Sequence, residues 1–203
     1  NYLASGYFRY EEQPITDVAY PSVDDPTVLV NTTINGKNSL RYGLENTIKY
    51  SLLKNLDLTL NANIFYIYIK GIVVATEPEV EREGYAYNAK TTLAYKFPKQ
   101  ITLQVNGNYE SPKILLLGAT KPIYSMDVSL NKMFGTKWVI NATLSDAFNT
   151  RRMGTHYETP YYIQDLSRRR ESRYVRLTVT YIFGKMDASI FKRAKQMKGT
   201  DSQ

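Results

Sequence analysis

Side chains able to do chemistry are few in this sequence, and those few lie apart. The one histidine, His156, stands in a chain without cysteine. A Cys–His pair is therefore impossible, and a Ser–His site would have to be assembled from the segment around residue 156 alone. A lone imidazole also falls short of the ligand set that zinc takes. Oxygen ligands are more plentiful. Asp17, Asp24, Asp25, Glu77, Glu79, Glu81 and Glu83 are carboxylates of the kind that hold Ca²⁺, but their spacing matches no Ca²⁺ loop and they read as solvated charge. We expect no enzyme, no catalytic residue, no metal and no cofactor.

Recognition is better provided for. Between Asn149 and Ser172 the chain mixes Arg151, Arg152, Tyr157, Tyr161, Tyr162, Arg168, Arg169 and Arg170. Guanidinium forks and phenol rings hydrogen-bond or stack on polar ligands such as a glycan or an anionic chelate, so these residues are the candidate ligand contacts. The alternative is that they only anchor the loop. A formal net charge of +7 is compatible with a nucleic-acid partner, yet the basic residues scatter along the chain and concentrate only from Arg168 to Arg173 and beyond Lys185. Such clusters read as solvated loop and tail charge, and no nucleic-acid partner is expected.

The elements that must position this loop are strands. Period-2 alternation recurs in almost every segment between turn signals. Leu56, Leu58, Leu60, Ala62, Ile64, Tyr66 and Tyr68 fall on one face, with Asp57, Thr59, Asn61 and Asn63 on the other. Ile101, Leu103, Val105 and Tyr109 oppose Thr102, Gln104, Asn106, Asn108 and Glu110 in the same way, and Val175, Leu177, Val179, Tyr181 and Phe183 oppose Arg176, Thr178 and Thr180. Counting every such segment gives about eight strands. The 18 Tyr and many Thr favour strands, whereas the many Asn require one strongly polar face. A water-filled lumen supplies such a face, and lipid supplies the apolar one.

Connections alternate in length. Short turns fall at Lys54-Asn55, Pro98-Lys99 and Gly135-Thr136, and long connections at residues 13–37, 70–84 and 148–171, with 111–121 intermediate. Outer-membrane barrels join strands by short periplasmic turns and long external loops, so this order makes the long connections external. Aromatic residues mark both ends of the outward face. Tyr50, Tyr95, Phe97, Phe134, Trp138, Tyr181 and Phe183 lie near the short turns; Tyr66, Tyr68, Tyr85, Tyr87 and Tyr109 lie towards the loops. The expected fold is all-β, with antiparallel up-and-down transmembrane β-barrel strands that form part of a larger barrel in the bacterial outer membrane. Lipid and lipopolysaccharide are then its surroundings. Inward polar residues such as Arg41, Glu45, Lys49 and Arg176 read as lumen wetting.

Residues 1–184 make up the barrel segment and 185–203 a basic periplasmic tail, in which Ile190, Phe191, Ala194 and Met197 have helical spacing. Val28 to Ile34 is strand-like, and Asn35-Gly36 after it is a two-residue hairpin signal. The chain opens inside what reads as a strand, without a signal peptide, so a fragment or processed piece is expected.

The run Leu144-Ser145-Asp146-Ala147-Phe148-Asn149-Thr150-Arg151-Arg152, with Arg170-Glu171-Ser172-Arg173 and Val175 to Lys185 further on, resembles the closing strands of TonB-dependent receptors of the Bacteroidetes type. Tyr42-Gly43-Leu44-Glu45 and the preceding Asn35-Gly36 resemble the same family's barrel pattern. The resemblance implies a barrel of about 22 strands filled by an N-terminal plug, energised through TonB and importing a bound siderophore, glycan or peptide-class ligand. A complete eight-stranded anchoring barrel, a barrel enzyme and a soluble β-sandwich binding module are the competing readings.

Overall fold

The computed structural model describes residues 1–72, 79–159 and 162–183. Glu77, Tyr161 and the tail with its helical spacing lie outside the described residues. Fourteen strands follow in order: β1 Tyr2–Glu12, β2 Ile15–Pro21, β3 Leu29–Asn35, β4 Asn38–Leu53, β5 Leu56–Gly71, β6 Val80–Phe97, β7 Ile101–Glu110, β8 Ile114–Leu115, β9 Gly118–Thr120, β10 Ile123–Phe134, β11 Trp138–Ser145, β12 Met153–Glu158, β13 Ile163–Arg168 and β14 Tyr174–Tyr181.

The eight strands expected from the alternation form one sheet in the order β1-β4-β5-β6-β7-β10-β11-β14. Every pairing in it is antiparallel. Among the described residues β1 and β14 do not pair with each other, so the sheet is open.

The register keeps like faces together across the whole sheet. Phe8 faces Tyr42, Tyr42 faces Tyr66 and Tyr66 faces Tyr85, so one apolar row crosses four strands near the loop side. At the other end Phe134 faces Trp138, and Trp138 faces Tyr181. Rings meet along both rows, stacked at 5.0 Å for Tyr42–Tyr66 and tilted at 4.6 Å for Trp138–Tyr181. Tyr50 and Tyr42 stand eight residues apart on β4. At about 3.4 Å per residue that is about 27 Å along the strand, or about 20 Å in height at the usual tilt, close to the apolar band of an outer-membrane barrel. Leu44, Ile64, Leu130, Leu177 and Val179 are exposed on this face. In water they would form a large apolar patch; in lipid they are solvated.

The opposite face carries a ladder of short polar contacts. Thr47 donates to Asn61 at 2.9 Å, Thr92 to Asn106 at 2.9 Å and Ser51 to Asp57 at 2.7 Å. This ladder stops towards the loops. Beyond Asn63 the inward positions of β5 become Phe65, Ile67 and Ile69. With 16, 16 and 18 residues, β4, β5 and β6 are longer than the roughly 9–11 residues that cross a bilayer, so they project past it on the loop side.

The projecting inner face is covered by the long connections. Val18 of β2 and Leu116 and Leu117 of the β8–β9 turn form a buried cluster that Ile34, Ile69, Val80 and Tyr157 join; Phe65, Ile67 and Ala86 form a second. Burying each large side chain contributes about 1.5–3 kcal/mol. The Ile114 side-chain tip packs over Gly84, where a Cβ would force that tip to shift. Arg82, inward on β6, ties the cover down: its Nε donates to the Leu116 carbonyl at 3.1 Å and its Nη2 to the Glu158 carbonyl at 3.4 Å.

One expectation is corrected. Asn35-Gly36 does not turn a hairpin; β3 pairs back with β2, and the hairpin turn lies at residues 22–28, where the Ser22 amide donates to the Val28 carbonyl at 2.8 Å. Gly36 instead passes the chain from the small sheet into β4. Its amide donates to the Pro14 carbonyl at 2.8 Å, and a Cβ would stand 3.2 Å from that oxygen. The glycine is required by close approach of backbone, not by a two-residue turn.

Leu60 points to lipid midway between the aromatic rows, and Thr59 beside it points inward. Leu60→Arg is expected to destabilise the reconstituted barrel by about 2–4 kcal/mol. Thr59→Arg is expected to change it by no more than about 0.5 kcal/mol. Urea unfolding in lipid vesicles measures both; equal effects would overturn the assignment of faces.

Candidate ligand site

After Ser145 the chain leaves the sheet and returns only at Tyr174, and the long connection needs fixing at both ends. Asp146 provides this. It is fully buried, with φ at +46°. Its backbone amide donates to the Asp127 carboxylate at 2.7 Å. Its own carboxylate accepts from the amides of Thr150 and Arg151, each at 3.0 Å, from the Thr150 hydroxyl at 3.3 Å, and from the hydroxyl of buried Ser172 at the far end of the connection. Burial works to raise the Asp146 carboxyl, but the Ser172, Thr150 and Arg151 donors prevail and hold it below the usual carboxylate range. The segment that carries the family resemblance is thus the clasp of this connection.

The candidate ligand contacts are divided among several places. Arg151 belongs to the clasp: its guanidinium donates to the Ser125 hydroxyl at 3.0 Å and lies 3.6 Å from the Asp127 carboxylate. Tyr157 and Tyr162 share a cavity of about 310 Å³ with Asp17, Thr32 and Gln164. There burial and the neighbouring Tyr157 push the Tyr162 phenol up. Arg168 lines a separate hollow with Glu110, Lys113 and Lys121. Arg152, Arg169 and Arg170 are exposed. Tyr161 lies outside the described residues. The structure therefore brings together two tyrosines of the set and disperses the arginines.

The remaining reactive side chains are occupied. The Nδ1 of His156 lies 3.1 Å from the Asp165 carboxylate, which Lys121 also meets at 2.6 Å. Lys121 and His156 together hold the Asp165 carboxyl below its usual range. Glu79 lies between Lys37 and Lys70, Glu81 pairs with Lys70, and Glu83 accepts from Tyr66. The Asp25 carboxylate accepts from the Thr27 amide at 2.9 Å. Among the described residues no three His, Cys, Asp or Glu side chains converge as metal ligands would.

A cavity that the sequence analysis missed lies under the loop cover. Its volume is about 270 Å³. Arg9 and Glu11 of β1, Ser39 and Arg41 of β4 and Ile67 and Ile69 of β5 form its floor, and Asp17 of β2, Leu115 to Leu117 and Tyr157 its roof. One signal was available in the sequence. From Ile64 to Ile69 the alternation lapses and both faces are apolar, the pattern of a strand covered on both sides.

An antiparallel sheet with one lipid-facing apolar surface, two aromatic rows, short turns at one end and a polar opposite face defines a transmembrane β-barrel protein. The model of the outer membrane protein beta-barrel family matches residues 1–181, and the chain belongs to that family. Its place is the bacterial outer membrane. A search of curated proteins and a search of solved structures each returned no match.

Asp146→Asn puts an amide donor where a carboxylate oxygen now accepts. It is expected to cost about 1–3 kcal/mol of local stability. Hydrogen exchange over residues 146–173 should accelerate while the main sheet is unchanged. Because the folded carboxyl is depressed, its stabilisation is fully present above the unfolded value of about 3.9 and is lost as pH falls through the lower folded value. Wild-type protein should therefore open this connection only in acid, and the variant at all pH values.

Proposed function

We propose that this chain is part of the barrel wall of a TonB-dependent receptor that imports a small ligand. The observation that carries the reading is a sheet that is open among the described residues, its two outer strands each with an edge unpaired there, together with long connections folded inward over a roofed cavity. Free edges of long strands invite association unless further strands cover them. A receptor barrel of about 22 strands would supply those strands. The likeness of the Leu144–Arg152 and Val175–Lys185 segments to receptor closing strands supports the same reading. In it the polar inner face meets a plug, TonB provides the energy, lipopolysaccharide surrounds the loops, and the chain itself has no catalytic role.

A small anchoring barrel is the second reading, favoured by the count of eight strands in the sheet, an even number that can close. The two differ in mass. An antibody to this chain, used on separated inner and outer membranes of the native organism, should reveal an outer-membrane band several times heavier than the 23.3 kDa of the chain. An outer-membrane band near that mass would overturn the receptor reading and leave the small barrel.

A further inference from the structure

The roofed cavity has a charge pattern that says what it holds. Arg9 and Arg41 stand directly opposite each other on β1 and β4, both inward. Like charges in that position repel unless an anion lies between or beside them. Glu11 serves only one of them: it pairs with Arg9 and accepts from the Ser39 hydroxyl at 3.1 Å. Arg41 has no carboxylate partner among the described residues, and its guanidinium lies 5.5 Å over the Phe65 ring. Stacking of this kind fixes the plane of a guanidinium and leaves its N–H edge free to donate.

The other walls are of a different character. Half-buried Ile69 and Leu115 present an apolar surface in the same cavity as that guanidinium, backed by buried Ile67, Leu116 and Leu117. Asp17 in the roof accepts from the Thr33 hydroxyl at 3.3 Å and has no cationic partner among the described residues, which disfavours a second negative charge in the ligand. Among the described residues the cavity therefore offers a cation without a carboxylate partner, an apolar bed and a repulsive carboxylate in the roof.

We propose that this cavity binds a small monoanion with an apolar body, its carboxylate on Arg41 and its body against Ile69 and Leu115. The inference rests on the receptor reading and deepens it, naming the class of ligand. Apolar peptides and short acyl chains share this chemistry, and the test separates them.

Whole protein purified in detergent from native outer membranes is titrated calorimetrically with N-acetyl-leucyl-leucine, with its C-terminal amide, and with octanoate. Saturable binding of the peptide acid, or of octanoate, is the expected result, and the preferred probe identifies the body as peptidic or acyl. The amide should bind at least about tenfold more weakly than the acid, because a charge-assisted hydrogen bond is lost. Arg41→Gln should weaken the acids by a similar factor and leave the amide unchanged, while Lys49→Gln, inward but far down the wall, leaves all three unchanged. The amide comparison needs no variant and so does not depend on Arg41→Gln folding. No saturable binding of either acid, or equal binding of acid and amide, overturns the proposal. The outer-membrane band is read separately: a heavy band without binding removes this inference and keeps the receptor, and a light band with binding does the reverse.

Discussion

Everything in this molecule depends on the antiparallel register of the eight-stranded sheet, which shifts only where β4 nears its short turn, between Ser51 and Leu53. In a bilayer each backbone amide and carbonyl must find its partner within the protein, because the hydrocarbon offers none. Once the strands pair, side chains alternate strictly between the two surfaces, and a slip by one residue would move every one of them to the wrong solvent. The register here puts mostly apolar and aromatic side chains against lipid and mostly polar ones against water, with Asn46 and Thr91 among the few polar residues on the outward face. Lys132 is an exception placed where it does least harm. Its ammonium lies 4.6 Å over the Phe134 ring near the short-turn end, within reach of the interface.

The same register creates the conditions for a cavity. Because β4, β5 and β6 outrun the bilayer, their upper inner face is neither in lipid nor required to be wet. Phe65, Ile67 and Ile69 make it apolar, and apolar surface of that size is covered. The cover comes from three connections far apart in sequence, around Val18, Leu116 and Tyr157. Two of them are tied to the sheet by Arg82, whose guanidinium donates to the Leu116 and Glu158 carbonyls. Hydrophobic burial alone would not leave a hollow. Arg9, Glu11 and Arg41 on the floor keep the two surfaces from closing fully, since each needs polar company.

The connection between β11 and β14 illustrates a different economy. It has no large apolar cluster of its own, so its ends are fixed by hydrogen bonds to one buried carboxylate. Asp146 gathers donors from Thr150, Arg151 and Ser172, and is itself positioned by Asp127. This explains why arginines that read as ligand contacts divide as they do. Arg151, adjacent to the clasp, is drawn into it; Arg169 and Arg170, beyond the β12–β13 hairpin, stay in solvent.

How much was legible follows from the range of each interaction. Strand positions, face assignment, the short turns and the aromatic rows are written in local period-2 alternation, so the sequence by itself determined the transmembrane wall and its membrane. The loop strands β2, β8, β9, β12 and β13 were not legible, because they are short and their partners are set by packing. Asn35-Gly36 misled for the same reason: its local preference for a tight turn yielded to the pairing of β3 with β2. Only the tertiary structure decided which loops fold inward, that Asp146 is a clasp and that Arg41 lines the roofed cavity without a carboxylate partner among the described residues. Those outcomes depend on contacts between residues tens of positions apart, such as Arg41 with Phe65 and Arg82 with Leu116, and no local pattern encodes them.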